Sequence, residues 1–204
     1  MAGVVAMAAA AAISSFDPWD LMAKEVASQL SEAVEVLDEA SYEMPSWYQG
    51  DPAWAGLRYA GGTVAGRGCG LCAAAMAASW WARGDVTPAD LVSRYGDSCT
   101  VGGLNDMQAF ADRLCADYGL VRSGLYFDAR RAIDEAASGR TVFASLRGRF
   151  GDLWIGRGHI VLIWHDGSSL RVSDPASPAN TRAWDPGELA GATTWKYFVS
   201  IGRS

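Results

Sequence analysis

The hydrophobic pattern changes character several times along the chain. Residues 2–13 are an uncharged, alanine-rich apolar run. Asp17-Pro18 then gives a helix-start signal, an N-cap followed by proline at the first helical position. Met22, Val26, Leu30, Val34 and Leu37 recur at helical spacing, with Glu25, Glu32, Glu35, Asp38 and Glu39 between them. This predicts one amphipathic helix to about Ala40. Residues 42–68 lose all periodicity. They carry the turn formers Pro45, Gly50-Asp51-Pro52, Gly56 and Gly61-Gly62, and the aromatics Trp47, Tyr48, Trp54 and Tyr59. An aromatic loop of that length is read as packed over a site, a candidate wall of a substrate cleft. Helices are predicted at about 70–83, 88–95 (Thr87 cap, Pro88 first), 104–118 and, capped by Asp128, to about Ala137. Beyond them the period shifts to strands at 141–146, 159–164, 170–173 and 195–201, with Asp166-Gly167-Ser168-Ser169 as a hairpin turn. Helices first and an antiparallel sheet second mean an α+β fold.

The resulting organisation is an N-terminal segment, 1–41, and one domain, 42–204. The run at 2–13 is too short to span a bilayer and lacks the basic n-region of a signal peptide. Two readings stay open: a frayed or packed helix, and the remnant of an export signal or membrane anchor. With 50% apolar residues and nine Trp, the chain can build a sizeable core and is not disordered. A net charge of −6 with no basic run argues against nucleic acid as a partner.

Chemistry concentrates at Gly68-Cys69-Gly70-Leu71-Cys72, where a glycine-rich stretch meets a helix start. Unpaired amides and the helix dipole there favour a thiolate. A cysteine hydrolase also needs an imidazole, a group to orient it, and donors for an oxyanion. Only His159 and His165 are available. His159 opens a buried strand. Asp174 ends the next strand of the hairpin, where antiparallel pairing brings it beside His159. Gln49 lies in the aromatic loop, and its amide joins the Cys69 N–H as a candidate oxyanion hole. His165 is read as a surface turn residue, and Cys72 as a small buried apolar one.

Trp47-Tyr48-Gln49-Gly50-Asp51-Pro52-Ala53-Trp54, Gly68-Cys69-Gly70-Leu71-Cys72-Ala73-Ala74-Ala75-Met76, Val86-Thr87-Pro88-Ala89-Asp90-Leu91, Gly158-His159-Ile160-Val161-Leu162 and Val172-Ser173-Asp174-Pro175 follow one another in order. Together they resemble the papain-like cysteine peptidases of the double-glycine, bacteriocin-processing type and their secreted relatives. The resemblance runs from about Tyr42 to the C-terminus. It departs at Leu71, where that family usually has proline, and at Cys72, where it has a small or hydroxyl residue. It implies Cys69 as nucleophile, His159 as base, Asp174 as orienting acid, Gln49 as oxyanion donor, and no cofactor or metal. It also implies a papain-like layout, with a helical lobe presenting the cysteine to a sheet that carries His and Asp. The expected partner is a leader peptide or a peptidoglycan peptide, and the expected location is extracellular or in the cell envelope, with membrane association through the N-terminus as an option. In an oxidising compartment Cys99 and Cys115 are a candidate disulfide.

Competing readings remain. Cys69-Gly70-Leu71-Cys72 is also a C-x-x-C motif, as in a thioredoxin-like oxidoreductase. That fold needs a strand running into the motif, and residues 61–68 make a poor one. Zinc binding suffers from the wide spacing of Cys99 and Cys115. Gly66-Arg67-Gly68-Cys69-Gly70 completes no dinucleotide or phosphate-loop fingerprint. A binding module with a dead triad is the non-enzymatic alternative.

Overall fold

The structure, a computed structural model, describes residues 21–31 and 42–204. The expectations for 2–13, for Asp17-Pro18 and for the helix beyond residue 31 lie outside the described residues. Residues 21–31 are helical (α1), and Leu21, Met22, Val26 and Leu30 on it are exposed. Among the described residues no helix is long and apolar enough to cross a membrane. The chain divides into two units, at Ser41 and Tyr42; the second is treated by itself below.

That unit opens with a small hairpin, β1 (Arg58–Tyr59) and β2 (Gly62–Thr63), and a single helical turn, α2 (Val64–Arg67). Then come α3 (Cys69–Ala82), α4 (Pro88–Tyr95), a hairpin of β3 (Thr100–Val101) and β4 (Leu104–Asn105), and α5 (Met107–Tyr118). After them run β5 (Val121–Arg122), α6 (Ala129–Ala137), β6 (Thr141–Phe150), β7 (Leu153–His165), β8 (Leu170–Ser173), β9 (Arg182–Ala183), α7 (Pro186–Gly191) and β10 (Thr194–Gly202). Six strands form one sheet in the order β5-β10-β6-β7-β8-β9, antiparallel throughout. The α+β fold expected from the sequence is the fold found.

Both faces of the sheet are covered. Phe143, Ile160, Leu162, Trp164, Val199 and Ile201 pack with α3, α4 and α5. Val142, Ala144, Leu146, Val161, Ile163, Val172 and Phe198 pack with α6 and α7. Alternate residues of each strand therefore enter different cores. This explains the unbroken apolar run at 160–164: with no solvent face there is no polar alternation.

Helix α3 is buried from Gly70 to Ser79. A helix apolar on all sides must be buried on all sides, and its alanines let α4, α5 and β7 close around it. Leu71 and Met76 are fully buried, each contributing about 1.5–3 kcal/mol by removal from water. A larger side chain at Ala74, also fully buried, would overpack the site at about 1–3 kcal/mol.

The expected caps form. Thr87 accepts from the Asp90 amide at 3.2 Å while the Asp90 carboxylate accepts from the Thr87 amide at 2.8 Å, a reciprocal box. Asp128 caps α6. The helix expected from about residue 104 begins instead at Met107, with Asp106 as its cap. Gly102 and Gly103 both have positive φ (59° and 74°), the requirement of a two-residue hairpin turn, and that turn takes residues 100–105 for β3 and β4. The stretch at 42–68, expected to be loop throughout, contains β1, β2 and α2. Its aromatics are core more than cleft: Tyr59 and Trp54 are buried, and Trp47 packs edge-on against Trp54 and bonds the buried Ser79 hydroxyl at 3.2 Å.

Candidate active site

Two helices meet at Gly68, which ends α2 and caps α3. A Cβ there would lie 2.5 Å from the Val64 carbonyl, so only glycine allows the two to abut. The junction puts Cys69 at the first position of α3 with no capping side chain and no acidic residue in the first turn. The amides of that turn and the positive helix end are therefore left for the cysteine and for whatever approaches it. Cys69 is half-buried.

The sheet supplies the other half. Leu162 pairs with Ser173 in the β7–β8 ladder. Extending that register sets Asp174 opposite Val161, the same-face neighbour of His159, within diagonal reach. The His159 Nε2 and Asp174 Oδ1 are 2.6 Å apart, and the exposures of the two residues are 6% and 1%. Asp174 is held on all sides. Its Oδ1 also accepts from the Ala176 amide at 2.9 Å, its Oδ2 from Asn180 Nδ2 at 2.9 Å, and its own amide donates to Thr181 Oγ1 at 3.0 Å. Asn180 is itself fixed by donation to the Phe150 carbonyl at 3.1 Å. Asp174 is thus both a turn residue, its Oδ1 accepting from the amide two residues on, and the partner of the imidazole.

With Nε2 committed to Asp174, Nδ1 is the ring nitrogen left to serve Cys69. Burial alone would lower the imidazole pKa. The bonds to Asp174 and Cys69, and the charge on each, outweigh burial and push it up to about 10. The ring is therefore a cation at neutral pH when the sulfur is an anion, the state an ion-pair nucleophile requires.

Gln49 is tied to both halves. Its amide N–H donates to the Pro175 carbonyl at 2.8 Å, one residue beyond Asp174. Its Nε2 donates to the Ala65 carbonyl at 2.6 Å, on the helix that leads to Cys69. An amide nitrogen carries two protons, so one remains for an incoming oxyanion. Gln49 Oε1 is buried without a partner, an unsatisfied group of the kind found at functional sites.

Two contacting residues carried no signal in the sequence reading. Asn105 Nδ2 lies 3.7 Å from Cys69 Sγ, and Asn180 anchors the carboxylate. Neither belongs to a motif, and Asn105 lies on a strand where a helix was expected. Next to Asn105 a cavity of about 310 Å³ is walled by Val101, Leu104, Met107, Leu125 and Tyr197.

The other cysteines stand apart from this arrangement. All four are free thiols, Cys99 and Cys115 included. Cys72 is fully buried, and burial, with the charge of Cys69 behind it, pushes its thiol up. Helix α2, not a strand, runs into the C-x-x-C motif, so the thioredoxin arrangement is absent. Among the described residues no group of His, Cys, Asp or Glu gathers as metal ligands would. His165 ends β7, and its Nδ1 accepts from the Gly167 amide at 3.1 Å across the turn, as a turn residue.

No family model matches the chain, and no curated protein matches it. Among solved structures, the G161 variant of the Salmonella effector SpvD aligns over 83% of this chain and 77% of its own, with 12% identity and a TM-score of 0.43. The R161 variant aligns over 67% and 71%, with 9% identity and a TM-score of 0.40. The Pseudomonas avirulence protein AvrPphB aligns over 80% of this chain and 99% of its own, with 12% identity and a TM-score of 0.34. These likenesses are loose, and the functional reading rests on the geometry of the site.

Proposed function

We propose that this chain is a papain-like cysteine peptidase that hydrolyses peptide bonds through Cys69, His159 and Asp174. The observation that carries the reading is the buried His159–Asp174 pair at 2.6 Å, electrostatically coupled to a cysteine at a helix N-terminus. A structural histidine has no need of both partners.

In this mechanism His159 Nδ1 holds the Cys69 proton. The thiolate attacks the peptide carbonyl carbon, and the carbonyl π electrons move to oxygen. That oxyanion rests on Gln49 Nε2 and the Cys69 N–H. As the tetrahedral adduct collapses, the C–N bond breaks and the imidazolium gives its proton to the leaving amine. A thioester remains. Water, deprotonated by His159, attacks it and releases the carboxylic acid and the free thiol. Asp174 keeps the Nε2 proton in place and never takes it.

The double-glycine relationship, the leader-peptide or peptidoglycan-peptide substrate and the envelope location are supported by the sequence motifs alone.

The test is alkylation of each cysteine by iodoacetamide against pH, read by mass spectrometry, in the wild type, His159→Ala and Cys69→Ala. Cys69 is expected to label faster than Cys72, Cys99 and Cys115 and to lose that reactivity without His159. A peptide library should then be turned over by the wild type and not by Cys69→Ala. Labelling of Cys69 no faster than that of an unstructured thiol would overturn the reading.

A further inference from the structure

Asn105 sits against the start of α3 more closely than any substitution at the neighbouring position would permit. A Cβ on Gly70 would fall 2.5 Å from Asn105 Cβ and 2.8 Å from Met107 Sδ. The glycine after the nucleophile is therefore there to admit Asn105. The β3–β4 turn delivers it. Arg67 Nη1 fastens that turn from the α2 side by donating to the Gly103 carbonyl at 2.8 Å.

The orientation of the Asn105 amide is fixed. Its Oδ1 accepts from the Tyr59 hydroxyl at 2.6 Å, and its Nδ2 donates to the Arg67 carbonyl at 2.9 Å. A flipped amide would set Oδ1 against the Arg67 carbonyl, two acceptors face to face. The remaining Nδ2 proton lies on the Cys69 side, with Nδ2 3.7 Å from Sγ. A donor on that sulfur stabilises the thiolate over the thiol.

We propose that Asn105, oriented by the buried hydroxyl of Tyr59, is a further catalytic residue: it donates a hydrogen bond that holds the Cys69 sulfur as the thiolate. It approaches from the helical lobe while His159 approaches from the sheet. The thiolate so formed has a second partner that stays in place when the imidazolium gives its proton to the leaving amine. The titratable groups facing Cys69 are His159 on β7, Tyr59 on β1, Cys72 on α3 and Tyr197 on β10. Burial, followed by the charge of Cys69, pushes Tyr59 up, and burial pushes Tyr197 up. Both remain protonated through the working range. The Tyr59 hydroxyl is thus a constant donor to Asn105, and the chain of bonds runs one way, from Tyr59 through Asn105 to sulfur.

The proposal rests on Cys69 being the nucleophile, and the test separates the two. Iodoacetamide labelling of Cys69 is followed from pH 4 to 10 in the wild type, His159→Ala, Asn105→Ala, Asn105→Asp and Tyr59→Phe, each checked for native circular dichroism. Asn105→Ala is expected to move the labelling midpoint up, with a rate in the acid limb lower by about tenfold, the ratio for one pKa unit. Asn105→Asp sets a carboxylate against the sulfur and should move the midpoint further. Tyr59→Phe keeps the buried ring and removes only the hydroxyl, so it should shift the midpoint the same way by less. A merely structural role would lower thermal stability and leave the midpoint in place. If Asn105→Ala does not fold, Tyr59→Phe decides. Wild-type midpoints in the folded variants, with His159→Ala shifted, would overturn the role of Asn105 and leave the peptidase reading intact. No shift in His159→Ala, from a wild type that labels like a free thiol, would overturn both.

Discussion

The two halves of the site are built on opposite principles. On the sheet side everything is buried and bonded more than once. Asp174 is 1% exposed, with His159, Ala176, Asn180 and Thr181 on its polar atoms. On the helix side the working atom is a half-buried sulfur at an uncapped helix end, touched by one long N–H···S contact and electrostatically coupled to an imidazole. The difference follows from what each half does. The carboxylate never reacts, so it tolerates full enclosure, and enclosure strengthens its hold on the ring. The sulfur must meet a substrate, so it is left open and its charge is supported by groups that do not cover it.

Asp174→Asn would break the comparison most sharply. The amide keeps the shape but not the charge, and either orientation sets its NH2 against a donor, the Ala176 N–H or Asn180 Nδ2, so the ring loses the partner that holds its Nε2 proton. A kcat loss of about 10⁴ is expected, by analogy with the orienting carboxylate of other triads, with little change in KM. A loss under tenfold would make the pair a packing feature. On the open side, Gln49→Ala should cost about 10²–10³ in kcat if its free amide proton meets the oxyanion. A change confined to KM would reassign Gln49 to tying the two halves together through Ala65 and Pro175. Asn180→Ala sharpens the enclosed side. It removes a donor from Asp174 and from the Phe150 carbonyl at once, and leaving buried acceptors unpaired costs about 1–3 kcal/mol. Denaturant unfolding should show that loss, with activity lowered less than in Asp174→Asn because the Ala176 amide still holds Oδ1.

The legibility of the two sides in the sequence also differs, for a physical reason. His159 and Asp174 were placed by strand order and antiparallel register, which a hairpin turn and two apolar runs make plain. Cys69 was placed by the coincidence of glycines and a small-residue run. Thr87 and Asp128 announced their helices because a cap is a local interaction. Asn105, Tyr59 and Asn180 gave no signal, since each acts through contacts with residues distant in sequence. Tyr59 looked like part of a cleft-lining loop because burial of an aromatic leaves no periodic trace in a stretch only two residues long at each strand. The run Gly102-Gly103 was the missed clue on the helix side: two glycines in succession are a hairpin signal, and heeding it would have moved the start of α5 and taken Asn105 out of the helix.

The smallest effect is on stability against pH, and it reads the enclosed side directly. His159 has a folded pKa of about 10, above the value of about 6.5 for an unfolded chain. Counted with the thiolate of the proposed ion pair, the native pair carries one proton, as the unfolded pair does up to the ordinary thiol value of about 8.5, so the native state binds more protons only between about 8.5 and about 10. The slope of unfolding free energy with pH is then negative. The contribution is fully present just below pH about 8.5 and is lost as pH rises toward about 10. Thermal midpoints of the wild type should therefore fall between pH about 8.5 and about 10. His159→Gln, which keeps a polar group of similar size but cannot titrate, should flatten the fall. Cys69→Ala should flatten it only in part, because Asp174 still holds the ring proton when the sulfur is gone. An equal flattening in Cys69→Ala and His159→Gln would mean that the open thiolate, and not the buried carboxylate, holds the imidazolium. The two halves of the site would then exchange the roles that their burial assigns them.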